Sequence, residues 1–145
     1  MTMKAMWILV AIMLLTGASL QGQNLCSEAS VKGDYGFVSS VRFVPPPNSP
    51  AKHTARSRFI GIISYDGSGN TTVGGITLGP NGKTVSYTGS GSYKVDSQHC
   101  TGSVSFKVGE SGASKWDFVI VSGGNELLTI IETASNASPF SQVKR

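Results

Sequence analysis

The sequence predicts an all-β domain of eight antiparallel strands closed into an up-and-down barrel, preceded by a cleaved secretory leader. Three observations carry that prediction. Thr84–Val108 holds two uninterrupted alternating runs around a short polar turn, the pattern of a β-hairpin with one face buried. Further apolar runs of strand length are separated by glycine-rich turns, and no stretch sustains a 3.6-residue period. The chain has two cysteines, Cys26 and Cys100, both beyond the leader.

The leader comes first. Lys4 lies in a short basic start, Ala5–Leu15 is an apolar run of eleven residues, and Thr16-Gly17-Ala18-Ser19 is small and polar. That is the layout of a signal peptide. The run is too short for a membrane span, which needs roughly 20 apolar residues. Residues 1–22 are therefore assigned to the signal and 23–145 to the barrel domain, and the protein is expected to be secreted or periplasmic. Cys26 follows Gln23-Asn24-Leu25, which is not the triplet that precedes a lipidated cysteine. Of the 12 Lys and Arg residues only Lys4 falls in the leader, leaving 11 basic residues against 8 acidic ones. This mild and scattered excess does not argue for nucleic acid.

In an exported chain an even pair of cysteines reads as a disulfide. Linking Cys26 to Cys100 would close a loop of about 75 residues, worth on the order of 4 kcal/mol in the chain-entropy model. A structural zinc site wants four ligands at closer spacing than Cys26, His99 and Cys100 offer, so no metal is expected.

The elements follow in order. Leu25–Gly33 is polar and irregular, with room for a turn of helix. Asp34–Val44 is the first strand, ended by Pro45-Pro46-Pro47, because proline cannot donate to a ladder. Asn48–Ser57 is a loop, and Phe59–Tyr65 is a second strand, apolar on both parities. Asp66-Gly67-Ser68-Gly69-Asn70 is a turn. Thr71–Leu78 is a third strand, and Gly79-Pro80-Asn81-Gly82 turns into the hairpin, which supplies the fourth and fifth. Lys115–Ser122, Glu126–Thr133 and Ser138–Lys144 complete the eight. An uncovered sheet of this size has two exposed edges, and closure removes them. The alternative is an open two-sheet β-sandwich. With Asp96–His99 as the hairpin turn, Val95 would face Cys100, Tyr93 Gly102, Gly91 Val104 and Gly89 Phe106. Small opposite large fills a narrow interior. In that register Cys100 starts its strand facing inward, and Cys26 pins the chain start across one end.

Gly91-x-Tyr93-x-Val95, a polar turn and Cys100-x-Gly102, with Asp66-Gly67-x-Gly69-Asn70 after an apolar strand, form an arrangement that resembles small exported bacterial proteins of unassigned function. These are similar to the allene-oxide-cyclase-like barrels of the calycin group, which include lipocalin-like folds. The resemblance implies an eight-stranded barrel that holds an apolar ligand, or an isomerase or cyclase in which the cavity shapes a reactive substrate. No cyclase active-site residue maps onto this sequence.

No catalytic motif emerges from the residues themselves. Gly82-Lys83-Thr84 lacks the earlier glycine of a phosphate-binding loop, with Thr77 in its place, and no helix follows. His53 and His99 lie in predicted loops and neither accompanies a nucleophile motif. No cofactor is implied, and binding is the first reading: a small apolar or amphipathic ligand in the barrel. Lys52, His53, Arg56 and Arg58 crowd the longest loop, where arginine forks could grip an anion, although a solvated basic loop explains them as well. Arg42 and Glu132 stand in otherwise apolar strands, either as inward polar anchors or as outward residues at strand ends. Tyr87 and Tyr93 face the interior and complete the candidate ligand set. The third reading is a structural or surface-interaction protein whose core is filled by its own side chains. Strands near 59–65, 116–121 and 127–131 are apolar on both faces, so their outer faces are candidates for self-association.

Overall fold

Alternation decides the architecture, because successive side chains of a strand point to opposite faces. The computed structural model describes residues 26–43, 55–109, 113–132 and 139–145. Its strands are β1 (Gly33–Phe43), β2 (Ala55–Tyr65), β3 (Asn70–Leu78), β4 (Thr84–Asp96), β5 (Thr101–Val108), β6 (Ala113–Val121), β7 (Glu126–Ile131) and β8 (Phe140–Lys144). They form a closed barrel in sequence order, with every neighbouring pair antiparallel. The barrel prediction is met. The leader falls outside the described residues.

One parity of each strand fills the barrel. Tyr35, Phe37 and Val41 of β1, Ile63 and Tyr65 of β2, and Val73 of β3 are buried. So are Tyr93 of β4, Val104 and Phe106 of β5, Trp116, Phe118 and Ile120 of β6, Leu127 and Ile131 of β7, and Phe140 of β8. Full burial of one such side chain is worth about 1.5–3 kcal/mol. The aromatic rings meet edge to face. Trp116 has the Phe106, Phe140 and Phe37 centroids at 4.6, 5.1 and 5.3 Å, and Tyr65 has Tyr93 at 4.9 Å and Tyr35 at 5.5 Å.

The hairpin of β4 and β5 is one step out of the expected register. Gly89 faces Val108, Gly91 faces Phe106, Tyr93 faces Val104 and Val95 faces Gly102. The cause is local: Asp96 Oδ1 accepts the amides of Gln98 and His99, so Asp96 closes the strand and the turn begins at Ser97. Each partner moves by two residues, which keeps every side chain on its expected face. Cys100 is consequently in the turn, with a left-handed φ of 52°, and does not begin the inward face of β5. Gly91 sits against Phe106, where nothing larger fits: a Cβ there would collide with the Ser105 carbonyl and the Phe106 backbone. Gly91→Ala is expected to cost about 1–3 kcal/mol by forcing the two strands apart, checked by urea denaturation. A loss below about 0.5 kcal/mol would show that the wall yields freely at this point.

Candidate functional site

One end of the barrel is sealed. The Cys26–Cys100 bridge is formed, with Cα atoms 5.3 Å apart, and it pins a 3-10 turn at Glu28–Val31 across the strand ends. Val31 and the tyrosines below it are buried. Tyr93 donates its hydroxyl to the Glu28 carbonyl at 3.1 Å and accepts the Gly67 amide at 2.9 Å. Tyr35 donates to the Gly124 carbonyl. Tyr65 donates to Gln142 Oε1 at 3.1 Å, and Gln142 Nε2 donates to Thr129 Oγ1 at 2.8 Å. A network this completely satisfied holds a lid in place and has no free group for a ligand. Tyr93, expected among the ligand contacts, belongs to this seal.

At the opposite end β1 stops at Phe43 and β2 starts at Ala55; residues 44–54, with Lys52 and His53, lie outside the described residues. Arg56 and Arg58 were expected on that loop and are on β2 instead, because the strand begins at Ala55. Both point outward and are exposed, as is Arg42. Arg42 stands directly opposite Arg56 in the β1–β2 register. No acidic side chain among the described residues forms an ion pair with any of the three. Glu132 also points outward and pairs with Lys115 at 2.9 Å. The Lys115 ammonium draws its carboxyl below the ordinary range, while neighbouring Asp117, hydrogen-bonded to Glu132 and partly desolvated, is pushed up. Neither Arg42 nor Glu132 is an inward anchor.

Inside this end, the predicted residue that remains is Tyr87. Its ring meets Phe59 edge-on at 6.4 Å, and its hydroxyl lies over two glycine backbones. A Cβ on Gly61 or Gly75 would sit 2.8 or 2.7 Å from it. Burial pushes the Tyr87 phenol up to about 12. Ser39 lies nearby, paired with Phe59 across β1 and β2. Its hydroxyl is buried and has no hydrogen-bond partner among the described residues, a state that costs about 1–3 kcal/mol in a protein interior. In sequence this serine is indistinguishable from any other small residue of inward parity.

No family model, curated protein or solved structure matches the chain. Its chemistry is therefore read from its own surfaces. Among the described residues no helix is long and apolar enough to cross a membrane.

Two grooves lie on the outer wall among the described residues. A groove of about 770 Å³ runs over β8, β1, β2 and β3, lined by Val38, Ile60, Ile62, Ile76 and Val143 with Gly36 and Gly74 in its floor. A second, of about 760 Å³, lies over β4 to β7 and mixes Val119, Leu128 and Ile130 with Lys94, Asp96 and Asp117. The expected outward apolar faces thus resolve to Ile60 and Ile62 on β2, Val119 on β6, and Leu128 and Ile130 on β7, all exposed. Trp116, Phe118 and Ile120 face inward.

The turns set the response to pH. Asp66 accepts the Asn70 side-chain amide at 2.7 Å and the Ser68 and Asn70 backbone amides at 2.7 and 2.9 Å. These bonds hold its carboxyl far below the ordinary range, and the Asn70 side chain contributes most. Stability from this carboxylate is present above the unfolded value near 3.9 and is lost as the pH falls toward the depressed folded one. Burial raises Tyr35 and Tyr87 to about 12. Their contribution is complete below about pH 10 and is lost as the pH rises toward those folded values. Urea midpoints are therefore expected to fall below about pH 4 and above about pH 10, with Asp66→Ala flattening the acid limb alone. An unchanged acid limb in that variant would remove the turn from this account.

Proposed function

We propose that the protein is an exported, disulfide-pinned barrel that works through its outer surface, with its interior occupied by its own side chains. The observation that carries this reading is the aromatic cluster in the lumen: Phe37, Phe106, Trp116 and Phe140 meet ring to ring, and the tyrosine network seals one end. Apolar exposed side chains lie on the wall, where monomeric proteins rarely gather them without a use. Export is supported by the apolar leader and by the Cys26–Cys100 bridge, which persists in oxidising compartments. The test is native mass spectrometry of the oxidised protein purified from its own host. The expected spectrum shows bare chain mass, alone or in multiples. A small molecule retained at one per chain and released only on unfolding would overturn the reading.

A second reading, a small apolar ligand held at the end away from the Cys26–Cys100 bridge, has one specific observation in its favour. The unpartnered Ser39 hydroxyl and the Phe59–Tyr87 pair form a polar spot beside an apolar one, the usual composition of a ligand site. On this reading a fluorescent fatty acid binds at one site per chain, and Tyr87→Ala weakens it at least tenfold. Failure to bind at any concentration below micelle formation would reject it. No observation favours the cyclase reading: the inward positions of the described strands carry no Asp or Glu to act beside a tyrosine.

A further inference from the structure

The glycines of this barrel fall into two kinds. Gly61, Gly75, Gly89, Gly91 and Gly102 face inward, and a Cβ on any of them would clash with backbone or an aromatic ring. Gly36 and Gly74 face outward and meet no such limit. A Cβ on Gly36 would find its nearest atom at 4.0 Å, and one on Gly74 at 3.7 Å, both ordinary contacts. Neither residue has a positive φ. Glycine weakens a strand through its chain entropy and the side chain it lacks. The folded monomer gives no reason for either one. They lie in one row across the wall, Val143–Gly36–Ile62–Gly74. The next row is Val38–Ile60–Ile76, a ridge in which Val38 is 65% and Ile60 57% exposed. A hollow row thus lies beside a ridge row.

We propose that this wall of β8, β1, β2 and β3 is the contact face between two copies of the chain, related by a two-fold axis that lies in the interface and runs across the strands. The proposal rests on the outer-surface reading and names the partner. Such an axis, placed between the two rows, exchanges them. Val38 of one copy falls over Gly36 of the other, Ile76 over Gly74, and Ile60 over Ile62. Each ridge fills the facing hollow, and the absent Cβ atoms are what allow the approach. Charge follows the same symmetry. Beyond the ridge, Arg58 lies between Ser40 and Leu78. Beyond the hollow row, Asp34 stands opposite Ser64. The axis lays the Arg58 row on the Asp34 row, so the guanidinium gains an acid where none pairs with it among the described residues of its own chain. Four strands about 4.8 Å apart and five outward rows about 6.6 Å apart outline a face on the order of 20 by 26 Å. A flat outline of that size is about 520 Å² per partner, just under the standard range of about 600 Å² and in the class of weak, reversible contacts. A lipid surface fits less well, because Asp34 would sit against the headgroups of an anionic bilayer, beside Arg145, which shares that end of the face.

The test is sedimentation equilibrium on the oxidised, exported chain. Wild type is expected to show a reversible dimer. Gly36→Ala/Gly74→Ala should weaken it at least tenfold while the thermal midpoint of the dissociated chain holds or rises. Asp34→Arg and Arg58→Asp should each favour the monomer alone, and a mixture of the two should form a heterodimer, since each supplies the charge the other has lost. A monomer at all accessible concentrations overturns the proposal, and so does a dimer indifferent to the alanine pair. Binding to anionic phospholipid vesicles by a chain that stays monomeric overturns it in favour of a membrane surface. None of these outcomes bears on whether a small molecule occupies the lumen, so the outer-surface reading can survive when the dimer fails.

Discussion

The double variant Cys26→Ala/Cys100→Ala is expected to lose on the order of 4 kcal/mol of stability, read as a drop of roughly 15 °C in the thermal midpoint. The bridge spans 74 residues, so its removal frees a long loop in the unfolded chain. It also releases the only covalent hold on the Glu28–Val31 turn. What remains there is Val31 in the barrel mouth and the bonds from Tyr93 and Val95 to Glu28. The loss should therefore extend to the seal itself, with Tyr93 and Tyr35 gaining solvent before the barrel opens. Hydrogen exchange at the Gly67 amide, which donates to Tyr93, separates that local release from global unfolding. A double variant within about 1 kcal/mol of wild type would mean that packing alone holds the lid.

Trp116→Ala is expected to cost about 3–5 kcal/mol. The indole is 6% exposed and three aromatic rings stand edge-on to it, so truncation leaves a hollow that rigid neighbours on three strands cannot close. Its Nε1 donates to Ser114 Oγ at 3.0 Å, which adds one bond to the loss. Equilibrium urea denaturation followed by far-ultraviolet circular dichroism measures the change without relying on the removed fluorophore. A cost under about 1.5 kcal/mol would indicate a loosely filled centre and would return weight to a ligand in the lumen. The same variant should bind small apolar probes that the wild type ignores, because an apolar cavity in a packed core stays dry and accepts them.

Strand positions were legible because Gly, Pro and Asn punctuate an alternating chain, and the disulfide because export leaves few other fates for two cysteines. The hairpin register was not. Whether Asp96 ends a strand or opens a turn depends on which amides its carboxylate accepts, and composition does not record that. The early start of β2 was hidden for another reason. In Arg56-Ser57-Arg58 the inward residue is a small polar one, so the alternation that reads as a strand has no apolar beat. Direction was the main obstacle for the candidate site. Arg42 and Glu132 had equal claims to either face until neighbouring strands fixed their parity. Gly74 and Gly75 are adjacent in sequence, yet one is required by the barrel interior and the other is not. Only the space around each backbone tells them apart.

Seven of the eight ladders join strands that follow each other in the chain, and the eighth joins the first to the last. That ladder has three register pairs, Tyr35 with Lys144, Gly36 with Val143 and Phe37 with Gln142. Local hairpins form in about 1–10 μs, whereas closing the ring must bring together residues more than a hundred positions apart, a slow class of event. β1 is thus the first strand to emerge and the last to gain its second neighbour. Until residue 144 is free, β1 and β7 offer open hydrogen-bonding edges beside bare isoleucines. The hazard of aggregation is concentrated in that interval, and its length is set by how promptly the final five-residue strand arrives.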